Sequence, residues 1–120
     1  MDERIGFISH KGKSILWIDL SHTSKAELLI LIGQVQQTMA AQPRNSLLVL
    51  ADFNEAQIDK EVATELKRVL VLDRPYVKKA AWLGTASMPH VFYENFKSFS
   101  QRDFPTFETR EEGLEWLVEE

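Results

Sequence analysis

The sequence contains no cysteine. That absence removes disulfides, thiol nucleophiles, thiolate metal sites and cysteine-held iron–sulfur clusters at once. Glycine and proline are sparse, at five and four in 120 residues, and no linker, low-complexity tract or internal repeat interrupts the chain. No apolar run approaches the about 20 residues that cross a bilayer. No basic segment followed by an apolar run opens the chain as a signal peptide would, so the expected location is the cytoplasm. An excess of positive charge is missing as well: 14 Lys and Arg stand against 18 Asp and Glu, for a net charge of −4. Neutralising phosphates takes a dense basic surface, so nucleic acid is not an expected partner. Basic residues do gather at Lys67, Arg68, Arg74, Lys78 and Lys79. Solvated helix ends and strand edges account for them more simply than a phosphate-binding patch.

What remains is an ordinary globular composition, 44% hydrophobic and 27% charged. The length fits a single domain over residues 1–120. A domain of this size buries roughly two-thirds of the surface its unfolded chain exposes and needs no staples.

Arg4 to Ser9 and Ser14 to Asp19 read as strands joined by a short polar turn with Gly12, the signature of an antiparallel hairpin. Ser24 and Glu27 form a capping box, in which each side chain satisfies a free backbone N–H of the first helical turn. Leu28, Leu31, Ile32, Val35 and Met39 then recur at helical spacing, and Pro43 closes the region. Ser46 to Ala51 is a short, almost unbroken apolar run, as a buried central strand would be. Asp59 is placed to cap a second helix with Val62, Leu66, Val69 and Leu70 inward, stopped at Arg74-Pro75. Val77 to Gly84 reads as the next strand. Ser87 and Pro89 read as the start of a third helix with Phe92, Phe96 and Phe99 on its apolar face. A short strand over Phe104 to Phe107 follows. A second capping box, Thr109 with Glu112, opens a closing helix that carries Leu114, Trp116, Leu117 and Val118.

The order β-β-α-β-α-β-α-β-α predicts an α/β fold. Its sheet is five-stranded and mainly parallel, with an opening antiparallel hairpin and about four helices. The succession GKSILWIDLS, QPRNSLLVLADF, RPYVKKAAWLG, ENFKSFSQRDFPTFET and EEGLEWLVEE resembles the small bacterial SpoIIAA-like proteins of the STAS superfamily, over about residues 5–119. The resemblance implies a STAS-type sheet flanked by helices and a non-enzymatic role in signalling by protein–protein contact. In that superfamily the sporulation regulators carry a phosphorylatable Ser or Thr at the start of a helix, beside an Asp. Asp52 stands where that Asp would be, but Phe53, Asn54, Glu55, Ala56 and Gln57 follow it, and the next hydroxyl is Thr64. The usual phosphoswitch is therefore not expected. The grouping of this family with CRAL-TRIO lipid-transfer domains implies an alternative, a small carrier of an apolar ligand or lipid.

No residue pattern carries a catalytic, cofactor or metal assignment. His10, His22 and His90 are scattered, without HxxxH or HExxH spacing. Ser87 and His90 lie three apart, but no G-x-S-x-G elbow accompanies them, and a helix cap explains Ser87 more simply. Gly84-Thr85-Ala86-Ser87 leads from strand to helix, as an anion-binding turn would, yet a single glycine is no phosphate fingerprint. Asp19 and Asp52 both end strands. Paired carboxylates do acid–base work at a set separation in a cleft, and strand-end aspartates ordinarily bond turn N–H groups. The phenylalanines of the third helix line either core or an apolar pocket against the sheet, and helical spacing alone predicts core.

In open α/β sheets, ligands favour the carboxyl ends of the strands. The expected interaction surface therefore joins the loop of Asp52, Phe53 and Asn54 to the loop of Thr85 and Ser87. Leu29 and Ile30 widen the apolar stripe of the first helix, and exposed apolar width of that kind admits a homodimer.

Overall fold

A computed structural model describes residues 4–119. Five strands form one sheet: β1 (Ile5–His10), β2 (Lys13–Asp19), β3 (Leu47–Asp52), β4 (Val77–Leu83) and β5 (Thr106–Phe107). Four helices accompany them: α1 (Lys25–Ala40), α2 (Lys60–Asp73), α3 (His90–Ser100) and α4 (Arg110–Val118). Strand order in the sheet is β1-β2-β3-β4-β5, antiparallel only between β1 and β2. The α/β architecture expected from the sequence is the one the chain adopts.

The hairpin turns on Lys11 (φ 51°) and Gly12 (φ 80°), a two-residue loop with both φ angles positive. Such a turn matches the twist of the flanking strands and holds His10 opposite Lys13. Both capping boxes form: Ser24 with Glu27 on α1, and Thr109 with Glu112 on α4. Asp59 caps α2 by accepting from the Val62 N–H at 2.9 Å.

Side chains alternate across the sheet and build two unequal cores. On one face Leu16, Ile18, Val49, Ala51, Ala80 and Trp82 meet α1, α2 and α3. On the other, Ile15, Leu50, Ala81 and Leu83 meet Leu114 and Leu117 of α4, with Trp116 and Val118 packed at the margin. Gly113 lets α4 lie close to the sheet, since a Cβ there would stand 2.9 Å from Leu50 Cδ1. Lys79 locks the far end of α4: its Nζ donates to the Trp116 carbonyl at 2.7 Å and lies 4.2 Å from that indole's centroid. At the hairpin, His10 and Lys11 both reach Glu115, each at 2.6 Å.

The third helix departs from expectation at its start. Ser87 does not cap it. Thr85–Ser87 forms a single 3-10 turn, and α3 starts at His90 with Pro89 at its N-cap and no side-chain cap bond. Its inward face keeps two of the three expected phenylalanines, since Phe92 packs against the core and Phe96 lies within it. Phe96 and Ser100 are buried and Tyr93 packs against the core, whereas Phe99 is 60% exposed beneath the Lys67 ammonium. On α1, Leu29 packs against the core, so only Ile30 carries the extra apolar width outward. Among the described residues no helix is long and apolar enough to cross a membrane.

Candidate functional site

Strands β2, β3 and β4 end in step, with Asp19 beside Asp52 and Asp52 beside Leu83. Three loops leave this edge: residues 20–24, 53–59 and 84–89. Backbone bonds join them laterally. Leu20 N–H donates to the Asp52 carbonyl (2.9 Å), His22 N–H to Asn54 (2.8 Å), Gln57 N–H to Thr23 (3.2 Å) and Phe53 N–H to Leu83 (2.9 Å). The buried Thr23 hydroxyl donates to the Leu20 carbonyl at 2.7 Å.

Ser87 bolts the third loop to the second. Its Oγ accepts from the Glu55 N–H at 3.0 Å, and its proton is shared between the Phe53 carbonyl (3.2 Å) and the Gly84 carbonyl (3.0 Å). Gly84 turns at φ 72°, and a Cβ on it would lie 2.4 Å from the Asn54 backbone nitrogen. The close approach of the two loops therefore requires glycine at this position. His22 (φ 54°) and Glu55 (φ 56°) are held in the left-handed region, which costs a residue with a Cβ roughly 1 kcal/mol. The expected residues Asp52, Asn54, Thr85 and Ser87 are thus brought together at one edge. Phe53 is not part of that surface: it is 2% exposed, with its ring centroid 4.6 Å from that of Trp82. The period of two continues past the end of β3 and turns this side chain into the core.

The strand-end carboxylates serve their own loops. Asp19 Oδ1 accepts from Ser21 N–H at 3.0 Å and from Ser21 Oγ at 2.5 Å, and Arg4 lies 3.6 Å away. Asp52 Oδ1 accepts from the Asn54 backbone N–H at 2.9 Å and from Asn54 Nδ2 at 2.8 Å. Both are side-chain turns that finish a strand. Ser87 and His90 form no pair, because Ser87 faces the second loop and the exposed His90 lies 3.8 Å from Glu94. His10, His22 and His90 occupy three separate places, and no group of three or more metal-ligating side chains occurs among the described residues.

An apolar cavity of about 40 Å³ lies inside the larger core. It sits between α1, α2 and the sheet, lined by Ile32, Val35, Leu66 and Trp82 among others, and not behind Phe92 and Phe96. A benzene-sized ligand occupies a cavity of roughly 150 Å³, so this one holds no acyl chain. Two charged residues also line it, Asp73 and Arg102. Asp73 is 3% exposed, and burial pushes its carboxyl up to about 7 against the opposing pull of Arg102. Burial likewise lowers the Arg102 guanidinium to about 10. Neither residue stood out in the sequence. The available signal was an acidic residue at the end of the inward stripe Leu66, Val69, Leu70 of α2.

The chain matches no protein-family model, and comparison with curated proteins and with solved structures yields no match either.

Proposed function

We propose that the chain is a non-enzymatic, cytoplasmic regulatory or protein-interaction module of the STAS/SpoIIAA-like type, acting through the carboxyl edge of its sheet. The observation that carries this reading is the joining of three successive loops into one platform by backbone bonds and the Ser87 hydroxyl. Its inner polar groups are spent on holding the loops together, and two non-glycine residues are kept in left-handed backbone to do so. Local strain of this kind persists only where surrounding structure over-determines it, and it concentrates at recognition sites. Outward from the platform stand Asn54, Glu55, Gln57, Ala86 and, at the start of α3, Val91, all exposed. A preformed surface binds without first losing loop entropy. The order of strands and helices, which resembles that of SpoIIAA-like proteins, supports the same reading. With no hydroxyl directly after Asp52, regulation proceeds without that family's phosphoswitch. The apolar-carrier alternative draws less support, given the size of the cavity.

The test changes exposed side chains that make no bond within the platform, and leaves the Glu55 backbone N–H in place. Glu55→Arg, Ala86→Arg and Val91→Arg are compared with wild type in affinity capture from native lysate, read by mass spectrometry for proteins and lipids. The expected result is loss of the same protein partner in all three variants, with unchanged thermal unfolding. Equal capture by wild type and variants overturns the surface, and co-purifying lipid with no protein partner replaces the reading with the carrier.

A further inference from the structure

Helix α2 ends in a chemical conflict. Asp73 is its last residue, where the helix dipole is negative and a carboxylate is disfavoured. The side chain turns inward, and no hydrogen bond or ion pair within 4 Å reaches its carboxyl among the described residues. It also occupies the N-cap position of the 3-10 turn Arg74–Tyr76 without making a cap bond. Around it, α1, β2, β3 and β4 contribute only apolar side chains to the cavity wall. The charged group facing it is Arg102, from the segment that joins α3 to β5. Arg74, the next residue along the chain, is exposed and acts on Arg102 by repulsion. Asp103 is exposed as well.

Arg102 is already employed. Its Nη1 donates to the Leu70 carbonyl at 2.9 Å, one of the last carbonyls of α2, which the helix itself leaves open. Its guanidinium carbon lies 4.7 Å from the centroid of Phe104, which stacks on Trp82 at 4.2 Å. A single side chain therefore ties the end of α2 to the α3–β5 corner and to the aromatic centre of the core.

We propose that Asp73 and Arg102 form a proton-controlled latch, closed while Asp73 is neutral and opened when the ionised carboxylate draws Arg102 off the Leu70 carbonyl. A neutral carboxyl is tolerated among apolar walls far better than a charge. Once ionised, it has one strong partner within the protein, and a charge-assisted bond to a guanidinium outweighs a bond to a neutral carbonyl. Shifting Arg102 frees the last turn of α2 and unseats Phe104 from beneath the guanidinium. Titration near neutral pH, the direction in which burial pushes Asp73, puts the exchange within reach of ordinary conditions.

The experiment is a pH titration of the labelled full chain by carbon-detected NMR across neutral pH. The Asp73 carboxyl is expected to titrate near 7, with the Leu70 carbonyl carbon and the Arg102 side-chain resonances moving at the same midpoint. Asp73→Asn, a neutral isostere, should hold both at their acid-side positions throughout. Arg102→Met should raise the Asp73 midpoint, because the opposing cation is gone, and this second variant decides the matter if Asp73→Asn does not fold. An Asp73 midpoint in the ordinary carboxylate range overturns the latch. So does titration with Leu70 and Arg102 unmoved, a midpoint that fails to rise in Arg102→Met, or the same transition persisting in Asp73→Asn.

Discussion

An aspartate at the carboxyl end of a helix meets a dipole of the wrong sign, and Asp73 meets it with only 3% of its surface exposed. Its folded-state value of about 7 lies above the ordinary 3.8, so the native chain binds this proton more tightly than the unfolded chain. The stability it contributes is full below the ordinary value, declines as pH rises through the interval and is gone above about 7. About three pH units correspond to roughly 4 kcal/mol. Asp59, Glu65 and Glu115 are shifted the other way by their partners, but they are exposed and screened. Urea midpoints measured from mildly acidic to mildly alkaline pH should fall for wild type and stay flatter for Asp73→Asn. Parallel curves would show that another group titrates. The inward direction of Asp73 was legible from the spacing Leu66, Val69, Leu70, Asp73. The cavity and the approach of Arg102 from 29 positions away were not, because both depend on how α2 meets a corner made later in the chain.

At the level of elements, caps and strands were the most readable features because they are decided locally. Ser24, Asp59 and Thr109 all cap as their spacing with Glu27, Val62 and Glu112 predicts. Helix α3 is legible only in part: Phe92 and Phe96 face inward as the stripe predicts, while tertiary contacts exclude Phe99. Tyr93 donates to the Phe104 carbonyl at 2.7 Å and Phe96 packs edge-on to Trp82, which sets the rotation and leaves Phe99 outside. Phe96→Ala should therefore cost about 3–5 kcal/mol in unfolding free energy. Phe99→Ser, expected to be as costly from the spacing alone, should change stability by no more than about 0.5 kcal/mol. Equal losses in chemical denaturation would mean that Phe99 belongs to the core after all. The platform was half legible for the same reason. Its loops could be located at strand ends, while the sharing of Ser87 between them required the fold.

The whole molecule is lopsided: three helices cover one face of the sheet and one nine-residue helix covers the other. Leu48, Leu50, Ala81 and Leu83 depend on Leu114 and Leu117 for their cover. A chain ending at Glu108 should lose cooperative unfolding in calorimetry and bind a hydrophobic dye, since an uncovered sheet face is an aggregation surface. A sharp transition near the wild-type temperature would mean that the larger core suffices alone.

The sheet order β1-β2-β3-β4-β5 is also the chain order. No strand has to be inserted between two that already exist. As the polypeptide leaves the ribosome, each new strand meets the open edge of the one made before it, and each helix folds back over strands already in place. Assembly can therefore follow synthesis from the amino terminus, with one growing edge exposed at a time. The last helix, made after every strand of the sheet, then shields the second face.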